Sequence, residues 1–435
     1  MNLSPFEPYE SWLRTSSSVR WQGRVTQVVG NLVESAGPFC SIGESCEIID
    51  TNGARFLGEI VGFRDNKVLS MCLEMPRGIR FGDKIVTCGS RPSLRVGPEM
   101  LGRVIDATGQ PLDSMGDYRA VRSRLIDGPA PQALDRTLIS EPIGCGIRAV
   151  DGFLTCGRGQ RVGIFGGSGV GKSTLIGMMA RGTEADVTVL ALVGERGREV
   201  GEFLVTLGPE GLRRSVVIVS TSDQSPLLRI RGALAATAVA EYFCAQKKNV
   251  LLVVDSLTRF AMAQREIGLA AGEPPTAKGY TPSVLTMLAR LVERAGRFSE
   301  GSITAFYTVL MEADDQQDPI VDTVRSLLDG HIVLDRRLAL RNHYPPISVL
   351  DSLSRLMPSV CSRAHMQKAG ALRMLLAAYA RAEDLVRIGA YQRGTDSTLD
   401  KALAALPRID KFLQQEPDEP APLALNLEQL LALPI

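Results

Sequence analysis

Arg161-Val-Gly-Ile-Phe-Gly-Gly-Ser-Gly-Val-Gly-Lys-Ser-Thr-Leu-Ile176 is the stretch on which the fold turns. Gly166 to Ser173 match G-x-x-x-x-G-K-[ST] at every position, with a short apolar run before them and helix formers after them. Strand, loop and helix in that order make a P-loop. Glycines 166, 167, 169 and 171, with Ser168 and Val170 between them, let the backbone curl so that successive N–H groups face inward. The helix opening at Lys172, Ser173 and Thr174 sets the positive end of its dipole against the same anion. Lys172 is expected to reach the β- and γ-phosphates of a nucleoside triphosphate, and the Ser173 hydroxyl to ligate Mg²⁺.

Further apolar runs at 187–193, 215–220, 250–254 and 302–309 alternate with helical stretches such as Gly232–Cys244 and Pro282–Ala295. This alternation predicts an α/β domain with a parallel sheet and ligands at the carboxyl ends of its strands. Leu251-Leu-Val-Val-Asp255 is an apolar strand ending in a carboxylate, the Walker B arrangement that sets Asp255 beside Mg²⁺. Val193-Gly-Glu195-Arg196-Gly-Arg-Glu199 is a second such end, expected on a strand adjacent to the P-loop strand. There Glu195 is the candidate base that orients a water and accepts its proton. Glu199, one helical turn on, is expected to orient Mg²⁺-bound water, and Arg196 and Arg259 to hold these carboxylates or the phosphates. The competing reading is structural: a buried strand that happens to end in Asp, and a solvated Glu/Arg face.

Outward from this core, residues 1–22 read as a loose polar arm and 23–92 as a small β domain. Its runs are Val25–Val29, Cys46–Asp50, Phe56–Val61, Val68–Leu73 and Lys84–Thr87, with Asn52-Gly53 as a hairpin turn between two of them. Spacing of this kind suggests a closed barrel, an open capping sheet being the alternative. Residues 93–349 form the nucleotide domain, entered through a turn-rich connector at Leu101–Asp113 and a linker at Asp127–Gln132. The β runs stop near Leu350, and 350–415 read as a helical domain. There Met366–Arg387 carries Leu372, Leu375 and Leu376 at core spacing, and a turn at Arg393-Gly394 leads to a helix ending near Gln415. The tail, 416–435, opens with a linker or disordered break at Glu416–Pro422 and closes with an amphipathic Asn426–Leu433.

A chain of 435 residues exceeds one ordinary core, and 49 basic against 48 acidic residues leave a net charge of +1, with no global pull toward nucleic acid. Eight cysteines without C-x-x-C spacing and three histidines form no zinc-type cluster, which fits a reducing cytoplasm. Neither a leader nor a run of 18 apolar residues is present, so membrane contact is expected through partners alone.

Taken together, Gly166–Ser173, Gly194-Glu-Arg196, Leu251–Asp255 with Ser256-Leu-Thr-Arg259, Pro274–Pro282 and Ser326–Ile332 resemble the export ATPases of bacterial type III secretion, most closely the flagellar branch, over about residues 23 to 415. The resemblance implies an N-terminal β-barrel, a RecA-like ATPase domain and a C-terminal helical domain, with ATP and Mg²⁺ bound. It supports Lys172, Ser173, Glu195 and Asp255 in the roles given above. It adds Arg355, in Leu350-Asp-Ser-Leu-Ser-Arg355, as an arginine inserted into a neighbouring subunit's site, and Tyr344 as an aromatic stacked on adenine. It further implies a cytoplasmic homohexamer, peripheral to the inner membrane at the export gate. A central coiled-coil stalk protein, a dimeric regulator on the N-terminal arms, and export substrates with their chaperones would be its partners. The region from Arg381 to Asp396 is the expected stalk and chaperone contact. The alternatives are an injectisome ATPase, a rotary synthase subunit, an RNA translocase and a non-catalytic nucleotide binder. The translocase lacks an aromatic, basic platform here, and the non-catalytic reading conflicts with Glu195.

Overall fold

The structure, a computed structural model, describes residues 20–311 and 318–434, so most of the expected arm lies outside the described residues. Strands β1 (Gln22–Val29), β2 (Leu32–Ala36), β3 (Ser45–Ile49), β4 (Arg55–Arg64), β5 (Lys67–Cys72) and β6 (Lys84–Thr87) close a barrel in the order β1-β2-β5-β4-β3-β6. β6 pairs back onto β1, which decides against the open capping sheet. Five of these strands were legible as apolar runs. β2 was not, because Glu34 and Ser35 interrupt its apolar pattern although both are buried. The turn is longer than the two-residue hairpin expected at Asn52-Gly53: the N–H of Asp50 donates to the carbonyl of Ala54 and that of Gly53 to the carbonyl of Asp50, so a three-residue loop closes on Gly53 at φ +86°. The barrel rests on the next domain through Arg231–Glu59 at 2.9 Å and through the Ser225 hydroxyl, which donates to the carbonyl of Leu73 at 2.6 Å.

The nucleotide domain is built on one twisted sheet. Its strands run, from one edge to the other, Ile347–Ser354, Gly330–Leu334, Arg161–Gly166, Ser302–Leu310, Asn249–Asp255, Val187–Glu195, Ser215–Thr221 and Val104–Asp106. Along this path all neighbours are parallel except the first pair, and the short strand Gly296–Arg297, off the path, pairs antiparallel with Ser302–Leu310. Because side chains alternate across a strand, Val189, Ala191 and Val193 enter the core on one face, and Leu190 and Leu192 the core on the other. Helices Pro226–Ala245, Leu257–Ala271 and Pro282–Val292 cover the first face. Helices Arg148–Phe153 and Lys172–Gly182 cover the second, together with the C-terminal helices. The β region extends past Leu350, contrary to the expectation that it stops there: Ile347–Ser354 adds an antiparallel edge strand.

Beyond it, helix Arg363–Arg387 packs Leu372, Leu375 and Ala378 into the same cluster as Leu399, Ala402 and Ile409 of helix Ser397–Leu413. The first helix begins three residues before the expected Met366, capped by Ser362, whose hydroxyl accepts from the N–H of His365. Glu416–Pro422 is neither linker nor break. Arg148 and Arg181 hold it, and Asn426 of the following helix, Leu423–Ala432, donates to buried Asp151 at 2.7 Å. Composition marks prolines and charges as loose, and it cannot see buried partners more than 200 positions away.

Candidate active site

The P-loop lies between strand Arg161–Gly166 and helix Lys172–Gly182. Gly169 and Gly171 stand at φ +77° and +93°, which turns the backbone N–H groups toward the loop's hollow. Among the described residues no side chain caps the helix at Gly171, which leaves its first N–H groups to an anion. A cavity of about 640 Å³ opens there, lined by Gly167–Gly169 and Gly171–Thr174 on one wall and by Glu195, Arg196, Glu199 and Arg259 on the other. Gly166 and Val170 are buried behind it and do not line it; a Cβ on Gly166 would meet Leu334 at 3.0 Å.

Asp255 sits one layer deeper, nearly buried, with Oδ1 3.6 Å from Nζ of Lys172. The same oxygen accepts from the Thr308 hydroxyl at 2.5 Å. The Glu195 strand is not adjacent to the P-loop strand as expected: Ser302–Leu310 and Asn249–Asp255 stand between them. Glu195 nonetheless reaches the cavity because Leu192 pairs with Asp255, leaving it three residues beyond the Walker B acid. At about 3.3 Å per residue that overshoot is roughly 10 Å, and Gly194 at φ +70° bends the chain end over Arg259.

Burial pushes the Glu195 carboxyl up to about 8; the hydrogen bond to Glu199 and the charge of Asp255 add to this, while Lys172 opposes it. Glu199 is held below the ordinary range, chiefly by the hydrogen bond from Glu195 and also by Arg196 and Arg259. Each carboxyl, once ionised, thus opposes ionisation of the other, and the position of Glu199 in the first turn of a helix favours charge there rather than on Glu195.

The cavity fits a triphosphate with Mg²⁺. Arg259, which lines it, has a buried Nε without a hydrogen-bond partner among the described residues, in a cavity otherwise rich in N–H groups. Among the described residues no group of three or more His, Cys, Asp or Glu is placed to cage a metal. Mg²⁺ commonly takes one or two protein oxygens and fills its octahedron with phosphate and water. The Ser173 hydroxyl and the carboxylates of Asp255 and Glu199 supply hard oxygen donors of that kind.

The model of the ATP synthase alpha/beta family nucleotide-binding domain matches residues 146–354, that family's beta-barrel domain matches 25–89, and the T3SS EscN ATPase C-terminal domain matches 361–432. The chain is 48% identical over 424 residues to the flagellum-specific ATP synthase of Bacillus subtilis, covering 97% of each. It is also 48% identical over 400 residues to the type 3 secretion system ATPase of Sinorhizobium fredii, covering 92% of this chain and 89% of that one. The assembled ATPase EscN of the enteropathogenic Escherichia coli type III secretion system superposes with a TM-score of 0.89 at 43% identity, over 94% of this chain and 98% of that one. EscN in complex with its central stalk EscO gives 0.87 at 42% identity, with the same coverage.

The chain belongs to the family of flagellar and type III secretion ATPases. It is accordingly a P-loop ATPase with barrel, RecA-like and helical parts. In this ATPase Tyr344 lies outside the phosphate cavity. It lines a neighbouring one of about 840 Å³ that shares Gly171 and Thr174 with the first, and its ring is half-exposed, 45%. Phe412 of the helical domain lines the same cavity.

Arg355 is nowhere near either cavity. It follows Ser354, which pairs with Gly330, which in turn pairs with Val162 at the start of the P-loop strand. Its N–H donates to Asp329 at the amino end of the sheet, and its side chain is exposed.

Several contributors escaped the sequence reading. The Thr308 hydroxyl holds Asp255, and the Thr258 hydroxyl accepts from the N–H of Leu310 at 2.8 Å to fix the neighbouring strand end. Arg336 donates to the carbonyl of Ser168 at 3.3 Å. Neither Thr308 on its strand nor Thr258 in the first turn of helix Leu257–Ala271 carries a spacing signal, and Arg336 follows its strand at a point where charge alone is unremarkable.

Proposed function

We propose that this chain hydrolyses MgATP at sites that one copy only half builds, in a homohexameric ring that energises and organises protein export through a flagellar type III apparatus. The observation that carries the reading is the place of Arg355. The strand from Arg161 to Gly166 separates it from its own phosphate loop by six residues, about 20 Å at strand rise. No arginine side chain spans that distance, so an arginine with a catalytic role here serves another copy's cavity.

Within one copy the P-loop N–H groups and Lys172 bind the β- and γ-phosphates and Glu195 orients the attacking water. Mg²⁺ would be held by Ser173 and, through waters, by Asp255 and Glu199; when bound it neutralises charge on the β- and γ-oxygens. Glu195 must release its proton before it accepts one from water, and a guanidinium arriving from a neighbour favours the ionised form. Each completed site thus depends on assembly. ATPase activity per molecule should rise steeply between nanomolar and micromolar protein; a constant value across that range contradicts the ring.

For the export role, the solved EscN complex supports a central stalk as partner. The dimeric regulator, export gate, substrates and chaperones are proposed on the resemblance, as is a station at the inner membrane. Among the described residues no helix is long and apolar enough to cross one. A strain lacking this chain should retain flagellar rod, hook and filament proteins inside the cell, and Glu195→Gln should fail to restore their export. The equal identity to the Sinorhizobium protein favours an injectisome as second reading; loss of needle-type secretion with intact motility would select it.

A further inference from the structure

The segment Phe412–Glu419, where the helical domain passes into the tail, forms the outer wall of the cavity that Tyr344 lines. Its attachments converge on few residues. Arg148, at the start of helix Arg148–Phe153, has a side chain only 10% exposed, and its guanidinium is spent on this one segment. Nε donates to the carbonyl of Phe412 at 2.9 Å, Nη2 to the carbonyl of Gln414 and at 3.0 Å to Glu419 Oε2, and Nη1 to Glu419 Oε1. The backbone N–H of Arg148 donates to Gln415 Oε1 at 2.9 Å, and Gln415 Nε2 donates to the carbonyl of Gly146 at 2.9 Å. The N–H of Gln415 donates to the carbonyl of Tyr344 at 2.9 Å.

A buried guanidinium is tolerated only when paired, because an unpaired one costs several kcal/mol. The wall therefore has one position: any shift of Phe412–Glu419 strands Arg148. The opposite side of the slot is Gly171, Thr174 and Leu175, at the root of the phosphate cradle. A flat ring between Tyr344 and this wall would be gripped by surfaces already in register, with little left to order on binding.

We infer that Arg148, with Gln415 and Glu419, positions the outer wall of the base slot, and so sets how strongly a nucleoside triphosphate is preferred over the same phosphates without a base. This rests on the reading of Tyr344 as the base-stacking residue. Arg148 is a positioning residue, because its guanidinium acts through the main chain of Phe412 and Gln414. The same clasp makes the placement of the helical domain and occupancy of the slot one equilibrium.

The test uses full-length protein carrying Glu195→Gln to prevent turnover, with calorimetric titration of MgATP and of inorganic tripolyphosphate. Arg148→Ala should weaken ATP by roughly ten- to a hundredfold, as for loss of charge-assisted buried hydrogen bonds, and leave tripolyphosphate unchanged. Arg148→Lys should fall between. In the Glu195-intact protein KM should rise with kcat little altered. If Arg148→Ala does not fold, Gln415→Ala and the more exposed Glu419→Gln carry the test, each with a several-fold loss confined to ATP. Equal losses for both ligands make the clasp merely structural and overturn the inference, as do unchanged affinities. Tyr344→Ala is the control: if it leaves the preference for ATP over tripolyphosphate intact, the base-slot reading itself fails, whatever Arg148 does.

Discussion

Mixing two dead variants gives the sharpest test of a shared site. Arg355→Ala removes the guanidinium proposed to enter a neighbour's cavity, and Lys172→Ala empties the cradle that receives it. An arginine supplied in trans is worth about 10³ to 10⁵ in rate, so each variant alone should sit near the assay floor. The registers through Val162, Gly330 and Ser354 fix Arg355 about 20 Å from its own loop, so nothing within one copy can compensate. In a mixed ring an interface works when an intact cradle, from an Arg355→Ala copy, meets an intact arginine, from a Lys172→Ala copy. With equal amounts and random assembly that occurs at half of a half, about one quarter of the interfaces. Phosphate release from a 1:1 mixture should therefore climb from the floor to within a few-fold of wild type. A mixture that stays at the floor while native mass spectrometry shows mixed rings refutes the trans geometry.

Glu195→Gln should keep ATP binding and lower turnover by orders of magnitude, and unchanged turnover would show that Glu195 is not the base. The same variant has a signature without nucleotide. With Glu195 pushed up to about 8, the folded chain binds that proton more tightly than the unfolded chain, so stability falls as pH rises from the ordinary carboxylate range to about 8. The Gln variant should lose roughly 1–2 kcal/mol of that decline after allowance for partial solvent screening; denaturation curves from pH 5 to 8.5 that run parallel for both proteins count against it. Thr308→Val should leave Asp255 Oδ1 without its 2.5 Å donor, costing about 1–3 kcal/mol along with most of kcat, while Thr308→Ser retains both in melting and turnover assays. Gly194→Ala forces a side chain into φ +70° with its Cβ 3.0 Å from that of Arg259. About 1–3 kcal/mol of strain is expected, read as a kcat loss above tenfold at near-normal ATP affinity; wild-type kcat would mean that the strand end tolerates rearrangement.

What could be read from the sequence was whatever the backbone dictates locally. The P-loop is legible because glycine positions, a lysine and a hydroxyl must stand at fixed offsets for N–H groups to converge. Asp255 is legible because an apolar run must end where water begins. The order of strands in the sheet is a different kind of fact. Glu195 was expected beside the P-loop strand because the two are consecutive in sequence, but the chain crosses over and later inserts Asn249–Asp255 and Ser302–Leu310 between them. Only the pairing of Leu192 with Asp255 then explains how the glutamate still arrives. Thr308 and Arg148 were missed for the same reason, since each is defined by a partner 53 or more than 260 positions away.

The edge strand Ile347–Ser354 shows why such long-range facts bear on mechanism. Tyr344 precedes it at the carboxyl end of the sheet, beside Gly171, and Arg355 follows it at the amino end. A single antiparallel strand, paired along Gly330–Leu334, thus joins the base slot proposed for one site to the arginine proposed for the next. Residues this far apart normally act independently, their effects adding within about 0.3–0.5 kcal/mol. If the strand transmits slot occupancy to Arg355, a double-mutant cycle of Tyr344→Ala and Arg355→Lys on kcat/KM in the assembled ring should exceed that limit. The same cycle on single-copy nucleotide binding should not, because in a lone copy Arg355 has no neighbouring cavity to enter. Additivity in both would leave the strand a passive scaffold, since spatial connection alone does not establish energetic coupling.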